Sequence, residues 1–276
     1  PFQRGHNLEY LIEQNVVCKS FRKLDDINFT RPLYSHQEES IKLIKSGRSA
    51  IITTGTGSGK TESFLYPILN ELLYDVESGN KDIGIRAIFL YPMNALVNDQ
   101  IDRIRKILKN CPDITFGFFT GETPDSVPAN YRDKLEQEND VIIANNELVS
   151  RKEIRQNPPH LLFTNYSMLE YLLIRPNDYS IFVPERLKNW KYVVLDEAHS
   201  YSGSLGIELS LLLRRLTGLA HRRPQFILTS ATLGEQGKSE DDIITFATNL
   251  TSAKFDISDI IFSKRISLQE QPEYRI

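Results

Sequence analysis

Residues 53–61 read Thr53-Thr54-Gly55-Thr56-Gly57-Ser58-Gly59-Lys60-Thr61, after an apolar run at 50–52 and before a helix-like segment that begins at Glu62. Alternating glycines let the backbone curl so that successive N–H groups face inward, and the positive end of the following helix adds to this anion site. The pattern therefore predicts a phosphate-binding loop, although Thr54 stands where the strict template has glycine. A glycine-rich surface turn is the alternative, and the flanking strand and helix argue against it.

The predicted nucleotide-binding residues include this loop and an upstream amide. Lys60 is expected to reach the β- and γ-phosphates of ATP, and Thr61 to hold Mg²⁺. Gln37 lies ahead of the loop, where a carboxamide can donate to and accept from an adenine edge, although a glutamine on a helix surface often has no such role. Ser35 and Glu38 fit the two ends of a capping box for the helix that carries it. The full predicted set is Gln37, Thr54, Gly55, Thr56, Gly57, Ser58, Gly59, Lys60 and Thr61.

Composition and charge restrict the class of protein. The 276 residues are 40% hydrophobic and 25% charged, which is ordinary for a soluble globular protein. No apolar run approaches the roughly 20 residues that a membrane span needs, so we expect a cytoplasmic protein. Cys18 and Cys111 are too few and too isolated for a disulfide framework or a zinc site, and both are predicted to be buried thiols. The net charge of −3 argues against binding nucleic acid by bulk charge alone.

Short apolar runs alternate with helix-like segments along most of the chain. Because these runs are apolar at every position, they predict strands that are covered on both faces, as in a parallel sheet. The sequence therefore predicts an α/β fold with a mostly parallel sheet and helices on both faces. The predicted strands are 50–53, 87–91, 116–120, 161–164, 192–195 and 226–229.

Polar motifs follow the ends of these predicted strands. In open α/β sheets, ligands bind beyond the carboxyl ends of the strands, so we expect these motifs to form one site. Asp196 follows an apolar strand directly and is predicted to hold Mg²⁺, while the adjacent Glu197 is predicted to accept a proton from the attacking water. Helix capping or simple solvation is the alternative for this acidic pair. The other motif residues are Asn94, Thr120, Gly121, Thr164, Ser230 and Thr232.

From Arg31 onward, these motifs resemble the first RecA-like domain of superfamily 2 helicases of the DEAH type. Residues 33–37 and 164–170 are similar to those of large bacterial helicases of the YprA/MrfA group. The resemblance implies a P-loop NTPase that hydrolyses ATP, with Lys60, Asp196 and Glu197 as its catalytic residues. It implies that His199, Ser230 and Thr232 couple nucleotide state to nucleic-acid grip. It also implies that nucleic-acid backbone is bound at Asn94, Thr120, Gly121 and Thr164.

The function expected from this resemblance is that of an ATP-binding motor domain of a DNA helicase or translocase, in bacterial DNA repair or anti-phage defence. A duplex translocase that does not separate strands, a nucleotide-dependent scaffold that no longer hydrolyses ATP, and an RNA substrate are the alternatives.

The expected organisation is a helical appendage at 1–30, a RecA-like domain at 31–250 and a connector at 251–276. The first residue is proline rather than methionine, so we expect a piece of a longer chain, with the connector leading to a second RecA-like domain. In the helicases that this sequence resembles, the second domain supplies arginines to the γ-phosphate, so residues 1–276 alone are expected to bind Mg·ATP weakly and to hydrolyse it hardly at all.

Overall fold

Parallel strands form the centre of the structure. A computed structural model of the chain describes residues 2–55, 57–80, 82–139, 143–233 and 239–266. Within these residues the strands are β1 (Ala50–Thr53), β2 (Ala87–Tyr91), β3 (Phe116–Phe119), β4 (Glu147–Leu148), β5 (Leu161–Asn165), β6 (Tyr192–Leu195), β7 (Gln225–Ser230) and β8 (Ile260–Phe262). They pair side by side in the order β4-β3-β5-β2-β6-β7-β1-β8, and all the pairings are parallel.

Helices connect the strands and cover the sheet. In the described part of the chain they are α1 (Leu8–Glu13), α2 (Ser35–Lys45), α3 (Lys60–Glu77), α4 (Asn94–Ile107), α5 (Tyr131–Asn139), α6 (Arg151–Gln156), α7 (Tyr166–Ile174), α8 (Pro176–Tyr179), α9 (Pro184–Leu187), α10 (Gly203–Thr217) and α11 (Glu240–Thr251). Helix α3 runs through Pro67 without ending there. None of the helices in the described ranges is long and apolar enough to cross a membrane.

Each central strand contributes to two hydrophobic cores because alternate side chains point to opposite faces of the sheet. In β2, Phe89 and Tyr91 pack in one core with α2, α3 and α4, whereas Ile88 and Leu90 pack in the other with α7, α10 and α11. All five β2 residues are buried. Complete burial of an apolar side chain stabilises by roughly 1.5 to 3 kcal/mol, so both faces contribute to holding β2 in place. The prediction of an α/β fold with helices on both faces is confirmed.

The amino-terminal segment packs into the first of these cores. Leu8, Leu11 and Phe21 are completely buried there, and the ring of Phe21 lies edge-on to Tyr66 of α3 at a centroid distance of 5.6 Å. The backbone N–H of Cys18 also donates to the side-chain oxygen of Asn70 at 2.7 Å. The segment expected to be an appendage is therefore held against α3 by apolar and polar contacts.

Strands β4 and β8 extend the sheet beyond the predicted set. Strand β8 pairs with β1 and lies within 251–276, the segment for which the sequence predicts a connector. Strand β4 has two residues and pairs with β3. Both are too short to give a recognisable apolar run, and their pairing is decided by the neighbouring strand. Residues 267–276 of the expected connector lie outside the described residues.

Both cysteines are free thiols, and the predicted burial is confirmed for Cys111 but is wrong for Cys18, which is half-buried. Burial raises the pKa of both. No group of three or more His, Cys, Asp or Glu side chains in the described ranges is arranged to hold a metal ion. The burial of the two thiols and their raised pKa values are consistent with a structural role.

Candidate active site

The phosphate-binding loop joins the end of β1 to the start of α3. Gly57 and Gly59 have φ angles of 74° and 73°, in the left-handed region that favours glycine. A Cβ at Gly59 would lie 2.3 Å from Nε2 of Gln37, so any other residue there would also displace the Gln37 side chain. The two glycines let the chain turn sharply before it enters α3 at Lys60. Thr56 of the predicted set lies outside the described residues.

Buried hydroxyl groups on this loop fit an anionic ligand. Within the described residues, Oγ1 of Thr54 and Oγ of Ser58 are buried without a hydrogen-bond partner. Burying a hydroxyl that makes no hydrogen bond costs free energy, and most buried polar groups in proteins therefore have a partner. Phosphate oxygens accept hydrogen bonds from hydroxyl and backbone N–H groups at such a loop. The loop thus has the donors that the β- and γ-phosphates of a nucleotide require.

Lys60 and Glu197 meet across the end of the sheet. The Lys60 Nζ atom lies 2.6 Å from Oε1 of Glu197, and both side chains are mostly buried. Glu197 has a φ of 47° and a ψ of 49°, an uncommon conformation for a residue other than glycine. Its backbone N–H donates to Oγ1 of Thr229 at 3.2 Å. The turn after β6 therefore directs the glutamate carboxylate at the lysine of the loop.

Asp196 is the residue that directly follows β6. Its backbone N–H donates to the carbonyl of Leu90 at 3.0 Å, and its carboxylate accepts a hydrogen bond from the hydroxyl of Thr229. Burial raises the pKa of the Asp196 carboxyl, and the bond from Thr229 opposes that rise. Thr61 lies in the first turn of α3 beside Lys60. A hydroxyl and a carboxylate are the oxygen donors that Mg²⁺ takes, so Thr61 and Asp196 fit the predicted ion by donor type.

His199 and Ser230 connect the acidic turn to the segment after β7. The hydroxyl of Ser230 lies 3.1 Å from Nδ1 of His199 and accepts from the backbone N–H groups of Thr232 and Leu233, both at 3.1 Å. The same His199 nitrogen lies 3.4 Å from Oε2 of Glu197. The structure therefore brings together the three residues expected to couple the sites. Because His199 contacts both Glu197 and Ser230, a movement of Glu197 would be transmitted to residues 230–233 through these side chains.

The side chain of Gln37 is turned onto the phosphate loop. It is 5% exposed, its Nε2 donates to the carbonyl of Gly59 at 3.1 Å, and its Oε1 accepts the backbone N–H of Tyr34 at 2.9 Å. The helix cap predicted from Ser35 and Glu38 is therefore wrong, because Gln37 takes the return bond one residue earlier. A carboxamide has two N–H groups and two acceptor positions, so one of each remains for an adenine edge.

The expected nucleic-acid residues divide into buried and accessible ones. The Thr164 side chain is 0% exposed and donates to the carbonyl of Phe119 at 2.6 Å, and Thr120 is also buried. Gly121 is exposed and Asn94 half-buried. The Asn94 side-chain oxygen accepts from Nδ2 of Asn165 at 2.5 Å. The two threonines therefore shape the ends of β3 and β5, and the accessible residues at this edge are Asn94, Gly121 and Asn165.

Three arginines near this edge are held by glutamate side chains or backbone carbonyls. Arg103 pairs with Glu62 of α3, and Arg105 makes a two-pronged pair with Glu147 at 2.7 and 2.8 Å. Arg151 donates to the carbonyl of Thr120 at 3.1 Å. These three arginines therefore connect neighbouring segments of the fold.

No role was predicted from the sequence for Thr229 or His36, and Asn165 was predicted only as part of the segment 164–166 that resembles a nucleic-acid contact. Thr229 bonds to both members of the acidic pair, His36 lies 2.9 Å from the carbonyl of Ser58, and Asn165 bonds to Asn94 and caps α7. Each of them is adjacent to a residue that was singled out. That adjacency is the signal by which they could have been found.

The model of the DEAD/DEAH box helicase family matches residues 34–239 of this chain. The chain belongs to the DEAD/DEAH box helicase family. That match covers the phosphate loop, the acidic turn and the segment after β7, which the structure places at one edge of the sheet.

Individual relatives agree with this family assignment. The chain is 34% identical to the Druantia protein DruE of Escherichia coli, over 83% of this chain and 17% of DruE. It is 28% identical to the ATP-dependent helicase YprA of Bacillus subtilis, over 83% of this chain and 26% of YprA. The chain thus spans about a quarter or less of the length of these relatives.

The fold is similar to that of the DUF1998 helicase MrfA, solved bound to DNA, with a TM-score of 0.67 and 23% identity over 95% of this chain and 29% of that one. The resemblance to a RecA-like helicase domain and to the YprA/MrfA group is confirmed.

Proposed function

We propose that this chain is the ATP-binding motor domain of an ATP-dependent DNA helicase or translocase. The observation that carries the proposal is the contact between Lys60 of the phosphate loop and Glu197 of the acidic turn, at 2.6 Å. It joins a predicted phosphate ligand to a predicted general base at the carboxyl edge of a parallel sheet, where ligands bind in α/β folds. A scaffold that only binds nucleotide does not need this general base.

Hydrolysis is assigned to Lys60, Asp196 and Glu197, with Thr61 as a second ligand of the metal ion. Lys60 binds the β- and γ-phosphates and stabilises negative charge as the γ-phosphate leaves. Glu197 orients the attacking water and accepts its proton. Thr61 and Asp196 would hold Mg²⁺, which neutralises phosphate charge when it is bound. Because Lys60 and Glu197 contact each other, binding of the γ-phosphate to Lys60 frees the glutamate to face the water.

The loop residues Gly55, Gly57 and Gly59, together with the side chains of Thr54 and Ser58, are assigned to the phosphates, and Gln37 to the adenine. His199, Ser230 and Thr232 are assigned to coupling, since they link Glu197 to the segment after β7. Thr56 is also assigned to the nucleotide site, because it lies in the phosphate loop between Gly55 and Gly57.

The nucleic-acid surface is assigned to the edge formed by Asn94, Gly121 and Asn165, with Thr120 and Thr164 holding the strand ends beneath it. Backbone N–H groups, helix N-termini and short polar side chains are usual contacts to nucleic-acid phosphates. The proposed nucleic acid is DNA, as in the solved complex of MrfA, and RNA is the alternative, since Mss116, of similar fold with a TM-score of 0.66, was solved bound to ssRNA.

Movement along the nucleic acid and strand separation are assigned to the longer protein. Its proposed setting is the cytoplasm of a bacterium, in DNA repair or anti-phage defence. A second RecA-like domain is assigned the arginines that complete the site, in keeping with the partial coverage of DruE and YprA. Movement along duplex without strand separation is the second candidate, and an unwinding assay beside a translocation assay on the whole protein distinguishes the two.

The experiment that tests the proposal compares Lys60→Ala with Lys264→Ala, whose lysine makes an exposed ion pair with Glu39. Loss of a charged hydrogen-bonding group costs about 1.5 to 3 kcal/mol, so Lys60→Ala should weaken binding of ADP in a titration by roughly 10- to 100-fold. Lys264→Ala should bind as the unchanged chain does. Equal affinity in Lys60→Ala would overturn the assignment of this loop.

A steady-state assay of the same samples measures turnover. Residues 1–276 should bind Mg·ATP yet hydrolyse it slowly, because an arginine supplied by another domain is worth roughly 10³ to 10⁵ in rate. Nucleic-acid-stimulated turnover at the rate of the whole protein would show that the site is complete without a second domain.

A further inference from the structure

Two consecutive side chains of α2 bond to two consecutive carbonyls of the phosphate loop. Nε2 of His36 lies 2.9 Å from the carbonyl oxygen of Ser58, and Nε2 of Gln37 lies 3.1 Å from that of Gly59. Both side chains lie in the first turn of α2 and both are buried. The loop is thus attached to α2 at neighbouring peptide groups.

These bonds fix the direction of the N–H groups that follow. In a planar trans peptide, the C=O and the next N–H point in opposite directions. A Ser58 carbonyl held toward α2 turns the Gly59 N–H away from α2, and a Gly59 carbonyl held there does the same for the Lys60 N–H. Glycine at 57 and 59 permits this geometry but does not enforce it, because glycine is also free to rotate its peptides elsewhere.

The surroundings of His36 fix its ring. The ring is 0% exposed, stacks on Tyr34 at a centroid distance of 5.5 Å and an interplanar angle of 14°, and meets Phe2 edge-on at 6.0 Å. Burial lowers the pKa of His36, so the ring is neutral at pH 7. Nε2 carries the proton that bonds to Ser58. Nδ1 is buried and has no partner among the described residues, as suits an unprotonated nitrogen.

We propose that His36 is a positioning residue of the phosphate loop, which holds the Ser58–Gly59 peptide so that the Gly59 N–H faces the nucleotide phosphates. The role rests on the proposed function, because it requires that the loop bind phosphate. His36 does not touch the nucleotide and acts through the backbone. The loop is therefore preorganised by α2 before its ligand arrives, which lowers the cost of binding.

The experiment measures ADP binding to His36→Phe and His36→Gln. Phenylalanine keeps a flat ring between Tyr34 and Phe2 but leaves the buried Ser58 carbonyl unbonded, so affinity should fall roughly tenfold. Glutamine offers an N–H at similar reach and should restore much of the loss. His160→Phe is the matched control, since His160 is also a packed histidine, bonded to the Thr115 N–H at 3.0 Å, on another part of the chain. It should lower the melting temperature without changing ADP affinity.

The outcomes separate this inference from the proposed function. If the unchanged chain binds ADP and Lys60→Ala does not, the loop is a nucleotide site. His36→Phe binding as tightly as the unchanged chain then overturns the role of His36 alone. If the unchanged chain does not bind ADP, the proposed function fails and this inference fails with it.

A measurement on the unchanged chain does not depend on whether a variant folds. Imidazole nitrogen NMR at pH 7 should show a neutral His36 ring protonated at Nε2. A ring protonated at Nδ1 would exclude the bond to Ser58 and overturn the proposal.

Discussion

Glu197 occupies the left-handed region of backbone conformation at the point where its carboxylate meets Lys60. Uncommon backbone conformations of this kind cost roughly 1 to 3 kcal/mol and persist where the surrounding structure holds them. Here the Glu197 N–H is bonded to Thr229, on the neighbouring strand β7. The turn therefore lowers the stability of the fold, and it directs the Glu197 carboxylate at the phosphate loop.

We predict that Glu197→Gln in the whole protein leaves ATP binding within about threefold and lowers turnover by roughly 10²- to 10⁴-fold. The amide keeps the shape of the side chain but cannot take a proton, and general-base catalysis contributes about that factor. Binding by fluorescence titration and steady-state hydrolysis measure the two effects. Glu185→Gln, at an exposed position on α9, is the control and should change neither. Collapse of binding in Glu197→Gln would indicate a structural role instead.

From the sequence we could predict that the loop and the acidic turn each follow a strand directly. Both predictions depend only on neighbouring residues and on residue types that few other motifs combine. The sequence was not sufficient for the direction of side chains such as Thr164, which lies inward under Phe119. A threonine at a strand end has the same sequence context whether its hydroxyl faces the ligand or the neighbouring strand. The pairing partner across the sheet decides between the two, and it lies 45 residues away.

At the scale of elements, the amino-terminal segment is attached to α2 through Glu38. This buried carboxylate accepts the backbone N–H of His6 at 2.7 Å and pairs with Lys42 at 2.5 Å. Burial alone would raise the pKa of Glu38, but the hydrogen bonds from Lys42 and His6 hold it at about 2. A Cβ at Gly5 would meet the same carboxylate at 2.3 Å, so the chain passes directly over it.

We predict that Glu38→Gln lowers the free energy of unfolding at pH 7 by about 1 to 3 kcal/mol. Folding depresses the pKa of Glu38 from 4.5 to about 2. The stability that the ionised Glu38 carboxylate contributes is therefore fully present above pH 4.5 and is lost as the pH falls toward 2. Urea denaturation should therefore show a smaller difference between the variant and the unchanged chain at pH 3 than at pH 7. Glu39→Gln breaks an exposed pair with Lys264 and should cost about 0 to 1 kcal/mol. A difference that stays constant with pH would exclude the charged role of Glu38.

Six strands could be predicted because each is a run of buried residues, and three of them have the observed bounds, β1, β2 and β6. Strands β4 and β8 have two and three residues, so local sequence does not distinguish them from loop. Their backbone groups pair because β3 and β1 present free edges beside them. Strand order is likewise a property of packing, and the chain order of the motifs does not reveal it.

For the molecule as a whole, the net charge is −3, and Arg103 and Arg105 near the proposed nucleic-acid edge are already paired with glutamates. We predict that single-strand affinity falls only weakly with salt, with a slope of log K against log salt between about −1 and −2. Each phosphate neutralised by a lysine or arginine contributes about −0.7 for a single strand. Anisotropy titrations over a range of salt concentrations measure the slope.

Arg214→Ala is the control for this titration, because Arg214 is an exposed residue of α10 that bonds to Ser252 and lies on none of the segments assigned to the nucleic acid. It should leave the slope unchanged. A slope steeper than about −4, or one reduced by Arg214→Ala, would place the strand on a different surface.

Strand β1 lies inside the sheet, paired with β7 over four residues and with β8 over three. A mechanical load directed along β1 would act on both rows of backbone hydrogen bonds in shear, so the bonds of both rows would have to break together. An edge strand, bonded on one side only, would have a single row to resist the same force. In the proposed motor, a force exerted on the nucleic acid would therefore be distributed over the sheet before it distorted the loop at the end of β1.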